Sequence, residues 1–483
     1  MTSAEEQKRR DKRHSMMLEQ PVARVIPTVA VPMIVAMLID AIYNLTDTFF
    51  VSQLGTAATA AVGVNDSLMH LMRSVALAFG VGASSTISRL LGGKKDEYAS
   101  RVASTTLFTA MAVISLLAAV AAILVGPLVL LLGATESVKP YSMQYARWFL
   151  LASPFTAGTV VLSQLLRAEG STRYSMLGMV SGCILNIALD PLFIYGLDLG
   201  VAGAAMATGL SKLFSFSVLL VPFLRRRTLL EISLKLFTPK KALFLSVGRI
   251  GVPTFLRMSM LTLSSIVINN VAARFSDAAL AAISVANKCT RLVGSGIIGL
   301  GQGFQPIAGY CWGARHYARI RKAFWTCSAM GAGAAVVLGV AMGLLAPRLI
   351  YAFTASNDPE IIRLGSTMII SQCITMVPHV WVIIANGLFQ ALGRPVGTLV
   401  LGMSRQAICL IPSVVLLSRY FGVDGLTVSQ ATSDLLSALV ALPMVVFLLR
   451  RIRQMELAEI KIRPLQSEPQ HARFRTAGVK HDS

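Results

Sequence analysis

At 483 residues, 54% of them hydrophobic, and with a mean hydropathy of +0.66, the chain is too apolar for a water-soluble globule and points to a polytopic membrane protein. Its formal net charge of +21 does not signal nucleic-acid binding, because the basic residues are dispersed through short loops and no zinc-finger, recognition-helix or RNA-binding pattern accompanies them. An enzyme or a channel is disfavoured as well: there is no His/Glu metal cluster, no Gly-x-Ser-x-Gly nucleophile and no filter-like repeat. Residues 1–20 read as a mobile, basic tail without a cleavable signal segment, so the first span is expected to direct insertion itself. Apolar segments follow at 25–51, 58–91, 99–132, 140–166, 174–195 and 201–224. A polar, basic stretch runs to about residue 242, and six more segments lie at 243–273, 279–312, 320–347, 364–392, 396–417 and 425–449. A charged tail occupies 450–483. The predicted fold class is an all-α integral membrane protein of twelve transmembrane helices. Its parts are the tail 1–20, an N-lobe 21–224, a linker 225–242, a C-lobe 243–449 and the tail 450–483.

Twelve spans place both termini on one side, and loop charge says which. One alternate set of loops carries sixteen Lys and Arg, from Lys94 to Arg394, against five (Lys139, Arg274, Arg348, Arg363, Arg419) in the other set. The richer set, with both termini, is predicted to be cytoplasmic. The six cysteines fall in or at the ends of apolar segments without a CxxC pair and read as buried free thiols.

Span one, VIPTVAVPMIVAMLIDAIYNLTDTFFV, carries two acids. Seven residues return a helix to nearly the same face, so Asp40 and Asp47 lie on one stripe with Asn44 between them and Tyr43 one turn before Asp47. A carboxylate at mid-membrane costs at least about 2.5–3.5 kcal/mol, so an acid there is a functional candidate by default. Snorkelling is an alternative for Asp47, near the span end, and a poor one for Asp40. Pro32 frees the carbonyl of Thr28 and gives this helix a bend point.

The chain is an internal repeat. A shift of 221 aligns about seventy residues without a gap: Pro32 meets Pro253, AATAAVGV meets AALAAISV, and Gly80, Gly82 and Gly92 meet Gly301, Gly303 and Gly313. Six spans per half make the copies parallel, related by an axis along the membrane normal, an architecture of secondary transporters. Ion coupling should appear as a departure from this repeat. Asp47 meets Ile268, and Asp190 in span five meets Pro412 or Ser413. Asn186 and Asp190 share a helix face, and Pro191 releases the carbonyl of Ile187 beside them. That is a hard oxygen set of the kind that takes Na⁺ or shares a proton; the alternative is an Asp capping a helix end. The second half instead carries Arg257, Lys288, Arg291 and Arg405, with Asp434 its one acid well inside a span.

TDTFFVSQLGTAATAAVGV (46–64), GVGASSTISRLLGGKK (80–95), LLRAEGSTRYSMLGM (165–179), LNIALDPLFIY (185–195), GVAGAAMAT (200–208) and GQGFQPIAGYCWGAR (301–315) together resemble the multidrug and toxic-compound extrusion (MATE) family, prokaryotic branch, over residues 20–450. The resemblance implies a V-shaped pair of six-helix bundles around a central cavity. It implies antiport of amphipathic, often cationic, drug-like compounds against inward H⁺ or Na⁺, with no cofactor and no enzymatic activity. The family's N-lobe cation site falls on Asp47, Asn186, Asp190 and Thr208, with Tyr145 nearby; these four would also hold Na⁺ if that is the coupling ion. Acids that some members use in spans seven and ten are absent. Asp40 lies outside the pattern and is kept as a second proton carrier or cavity charge, with Asn44. The chain is expected to act as a monomer in the bilayer, without nucleic acid. A lipid-linked precursor flippase of the same superfamily is the rival, which Arg257, Lys288 and Arg291 keep open.

Overall fold

The computed structural model describes residues 3–354 and 358–466, and among these the regular structure is entirely helical. After α1 (Ser3–Leu18), the first half comprises α2 (Val22–Ser52), α3 (Thr56–Gly92), α4 (Asp96–Ile123) with the short α5 (Val125–Leu131), α6 (Lys139–Ala168), α7 (Thr172–Pro191) and α8 (Gly200–Leu224). The second comprises α9 (Lys241–Ala273), α10 (Asp277–Gly313), α11 (Tyr317–Thr354), α12 (Pro359–Ile374) with α13 (Met376–Ala391), α14 (Pro395–Met403) and α15 (Leu410–Gln466).

Nine of these helices, taking Pro395–Glu459 as one, are long and apolar enough to cross a membrane. The pair α12 and α13, bent by 56° at a short break, makes a tenth. The run Pro395–Glu459 is itself two crossings, because Gly422 leaves helical geometry at φ 62°, ψ −140°. The chain doubles back there: Arg405 Nε reaches Asp434 and Ser433 donates to the Arg405 carbonyl. Only a residue without Cβ adopts that backbone at low cost. The twelfth crossing is α10, whose 37 residues carry too many polar groups to register on hydropathy. The twelve expected spans are therefore present as two six-helix bundles.

Glycine makes the seam between the bundles. A Cβ on Gly303 would stand 2.5 Å from the Ala30 Cα, and one on Gly299 would stand 2.7 Å from the Ile34 Cα, so α2 and α10 touch backbone to backbone. Small residues permit this close approach, which dispersion forces between membrane helices need. The α3–α10 crossing is reciprocal under the 221-residue shift. Gly92 faces Tyr310, Gly313 faces Arg89, and Gly309 faces Ser88; each contact maps onto itself or its mate. The pseudo-two-fold axis therefore passes between Ser88 and Gly309.

The expectation of a mobile N-terminal tail is corrected. Helix α1 is docked on the face where both termini lie. Arg13 Nη1 bonds Glu169 Oε1 at 2.6 Å and its Nη2 bonds the Arg227 carbonyl at 3.2 Å. Glu169 is fully buried and also accepts from the backbone N–H groups of Leu229 (2.7 Å) and Leu230 (3.3 Å). Arg319, from the second half, donates to the carbonyls of Met17 (2.9 Å) and Gln20 (2.6 Å). Burial by itself would lower the Arg13 pKa, but the facing Glu169 carboxylate outweighs it and the net shift is upward. Arg13→Ala leaves Glu169 only its two backbone donors. The expected cost is about 1–3 kcal/mol, read as earlier thermal aggregation of the detergent-solubilised protein and faster proteolysis within residues 3–18. An unchanged digestion pattern would show that α1 is held by its apolar contacts alone.

Candidate functional site

Helix α2 leaves the seam at Ile34 and continues outward, carrying Asp40, Tyr43, Asn44 and Asp47. Its side-chain hydroxyls and amides mostly bond its own carbonyls, as Asn44 Nδ2 does to the Asp40 carbonyl at 2.5 Å and Thr48 does to that of Asn44 at 2.8 Å. The chemistry gathers where α2 meets α7 and α8. Asp190 and Asn186 are buried on α7, and Asn186 Nδ2 donates to Asp190 Oδ1 (3.2 Å) and toward Thr208 Oγ1 on α8 (3.4 Å). The Asp47 carboxyl, partly exposed, faces Asp190. Tyr43, buried, reaches Thr208. Tyr145 lies beside this group from α6, its hydroxyl directed at Met69 Sδ (3.7 Å). Asp47, Asn186, Asp190, Thr208 and Tyr145 are thus brought together.

The local sequence explains the placement. Asn186 and Asp190 are one turn apart, so one helix face presents both. Pro191 ends the α-helical register of α7, and the chain passes into a π-helical turn, Leu192–Gly196. Such turns realign the backbone where a membrane helix must serve a site. Pro32 lies inside an unbroken α2 next to the seam.

Two oxygens in this cluster have no donor: Asp190 Oδ2 and Asn186 Oδ1 are both buried and unbonded. Leaving such atoms unpaired is costly. A proton shared between the carboxyls, or a cation held by these oxygens and Asp47, would satisfy them. The residues present therefore fit H⁺ or Na⁺.

Asp40 and Asp47, on one stripe, meet different partners. Asp40 points to α3 and pairs with Arg73 at 3.6 Å, apart from the Asp47–Asp190 group. Arg73 was not singled out from the sequence; it sits in a run of α3 read as apolar. Two more residues were missed. Lys212, one turn beyond Thr208 on α8, holds its ammonium 5.2 Å from the Tyr43 ring centroid and close enough to Asp47 to act on its charge. Asp66 on α3 lies 3.7 Å from His70 Nε2. The signal for Lys212 was the repeat: shifted by 222, the register of LGVAG on FGVDG, it falls on Asp434.

Asp434 anchors the buried charge of the second half. Arg405 Nε contacts its Oδ1 at 2.5 Å, and His379 Nδ1 lies 3.4 Å from its Oδ2. Arg405 sits in a π-helical turn, Ser404–Ile408. Arg257 stands beside Arg405, its Nε buried and unbonded. The two clusters therefore carry opposite excesses: Asp47 and Asp190 beside Lys212 in the first bundle, Arg257 and Arg405 beside Asp434 in the second. No group of three or more His, Cys, Asp or Glu among the described residues forms a conventional metal centre.

Comparison with known proteins agrees with this architecture. The MatE family model matches residues 32–192 and 253–416, one block in each half. The multidrug export protein MepA of Staphylococcus aureus (strain MSSA476) is 25% identical over 433 residues, covering 89% of this chain and 95% of that protein. An outward-facing structure of a multidrug resistance MATE family transporter of the MOP superfamily superposes with a TM-score of 0.87 at 25% identity, covering 91% of this chain and 98% of the other. A MOP superfamily transporter from Pyrococcus furiosus, described as having reversed polarity in its binding pocket, superposes with a TM-score of 0.84 at 25% identity, with the same coverage.

Proposed function

Because the chain belongs to the MatE family of membrane transporters, we propose that it is a secondary active multidrug antiporter, exporting amphipathic, often cationic compounds in exchange for inward H⁺ or Na⁺. The coupling cation is taken at Asp47 and Asp190, with Asn186 and Thr208 completing the set. The observation that carries this reading is the pair of orphaned buried oxygens, Asp190 Oδ2 and Asn186 Oδ1, facing a second carboxylate. Two like charges at one site disfavour full ionisation, so a cation binds readily there. Relatives and neighbours that bear multidrug names support the export function.

The terminal face is assigned to the cytoplasm on loop charge. The bundles are closed there by the α3–α10 crossing, the Ser85 bond to the Gln390 carbonyl and the Arg167–Gln302 bond, and their polar faces are exposed beyond it. This is an outward-open arrangement. Cation binding neutralises the carboxylates and removes their demand for water. Span one, bending at Pro32, then repacks and narrows the cleft; the compound leaves, the bundles rock, and the cation is released inside. Cation and compound need only favour different states.

The test is dye efflux from proteoliposomes under a pH gradient alone or a Na⁺ gradient alone, for wild type and Asp47→Asn. Export driven by one gradient and lost in the variant identifies the coupling ion. Export insensitive to Asp47 would move coupling elsewhere.

A further inference from the structure

Ser88 and Gly309 meet on the pseudo-two-fold axis, so the helix faces that carry them look into the space between the bundles. Stepping back from Ser88 by 3.6 residues per turn leads through Arg73 and Ser74 to His70, Asp66, Ser67 and Gly63. The same steps from Gly309 lead through Gln302 and Ser295 to Arg291, Lys288 and Ser284. The terminal-side end of each stripe is packed and the outer part is exposed: Asp66, His70 and Arg73 on α3, Lys288 and Arg291 on α10. These are the two walls of the cleft, and the repeat puts His70 and Arg291 at one depth.

The walls differ in how their charge is balanced. On α3, Arg73 is paired with Asp40 and Asp66 with His70. On α10, neither Lys288 nor Arg291 has a carboxylate partner within 4.0 Å among the described residues. The α2–α10 contact runs antiparallel, Ala30 to Gly303 and Ile34 to Gly299, so each step outward on α2 matches a step back on α10. In that register Lys288 and Arg291 stand at the depth of the segment between Asp40 and Asp47. Lys288 is eleven residues inside a helix that starts at Asp277, about 16 Å along it, and both it and Arg291 are exposed on the cleft face. Two cations on one exposed face, with no carboxylate beside them, give this wall of the cleft a positive field that attracts an anion.

We propose that Lys288 and Arg291 form an anion subsite of the substrate cleft, and that the preferred substrates are amphipathic zwitterions. The ligand's carboxylate or phosphate lies against α10 while its cationic end faces the acids of α2 and α7. This deepens the antiporter reading and rests on it for the cleft's role in export. An Arg and a Lys on one face hold an anion with a charge-assisted bond each. The basic residues that favoured a lipid-linked precursor flippase become half of a dipolar site.

Equilibrium binding to the purified full-length protein in detergent, read by fluorescence polarisation, tests this without any gradient. Rhodamine B carries a cation and a carboxylate; its ethyl ester keeps only the cation. Wild type is expected to bind rhodamine B at least about tenfold more tightly than the ester. Lys288→Gln with Arg291→Gln should bring rhodamine B down to the ester's affinity and leave the ester unchanged. The charge-keeping exchange, Lys288→Arg with Arg291→Lys, should retain the preference and guards against misfolding of the first variant. Equal affinities in wild type, or equal loss of both dyes in the Gln variant, would overturn the subsite. Displacement of rhodamine B by phosphatidylglycerol but not by inorganic phosphate would assign a lipid-borne anion to the same pair; displacement by both would assign a free anion and overturn the zwitterion preference. Equal binding of the two dyes would overturn the subsite without bearing on whether export is gradient-driven, and failure of export in vesicles leaves the dye preference in detergent readable.

Discussion

Asp190→Asn is expected to abolish gradient-driven export while leaving the protein folded in the membrane. Asp190 is fully buried, and an amide of the same shape keeps the bond to Asn186. What it removes is the charge that makes a second cation worth binding beside Asp47. Coupling free energies of about 1–3 kcal/mol correspond to roughly 5- to 150-fold in affinity, so a variant without that charge should export at the rate of empty vesicles. Lys212 sets the arithmetic. With both acids ionised, its ammonium leaves the cluster one charge short of neutral, a deficit that Asp190→Asn removes. Asp40→Asn is the internal control. Asp40 is held by Arg73 and faces away from the cluster, and its variant should keep most of the wild-type rate. Initial rates of dye efflux for the three proteins, matched for the amount reconstituted, decide the matter. Wild-type export by Asp190→Asn would remove the cluster from the mechanism.

Much of the fold was legible because a bilayer imposes long apolar runs and a charge asymmetry between loops. The repeat was legible because its glycines recur at one offset, and the structure gives the reason: Gly82, Gly92, Gly303 and Gly313 stand where backbones touch. The gathering of Asn186 and Asp190 on one face followed from helical spacing. What escaped notice depends on partners distant in sequence. Asp40 and Asp47 share a stripe, yet seven residues set them about 10 Å apart along the axis, far enough to meet different neighbours, and Arg73 claims one of the pair. Asp434 stood out as the one acid well inside a span of the second half, but its partners could not be read because Arg405 and His379 lie 29 and 55 residues away. The docking of α1 was invisible for the same reason: a short charged helix has no pattern that reveals Glu169, 156 residues further on.

Arg405→Met is expected to be among the most destabilising single changes in the second half. Asp434 is 2% exposed, and its two oxygens are served by Arg405 and His379. Removing the guanidinium leaves a carboxylate in the interior with only an imidazole near it. Breaking one side of a buried ion pair costs about 3–5 kcal/mol, because the remaining charge is uncompensated. Replacing both partners, Arg405→Met with Asp434→Leu, should recover most of that loss, since two packed apolar groups carry no desolvation penalty. The measurement is a double-mutant cycle on thermal aggregation of the detergent-solubilised protein, with Arg257 left in place. A large coupling between the two sites identifies the pair as internal neutralisation for an arginine that the π-helical turn forces inward. A double variant as unstable as Arg405→Met would mean that Arg257 also depends on Asp434, and that both arginines of this bundle are balanced by one acid. In the first case the double variant should still export, with coupling confined to Asp47 and Asp190. In the second, the buried charge of the two bundles is interdependent, and removing it on one side should slow the conformational cycle even where the cation site is intact.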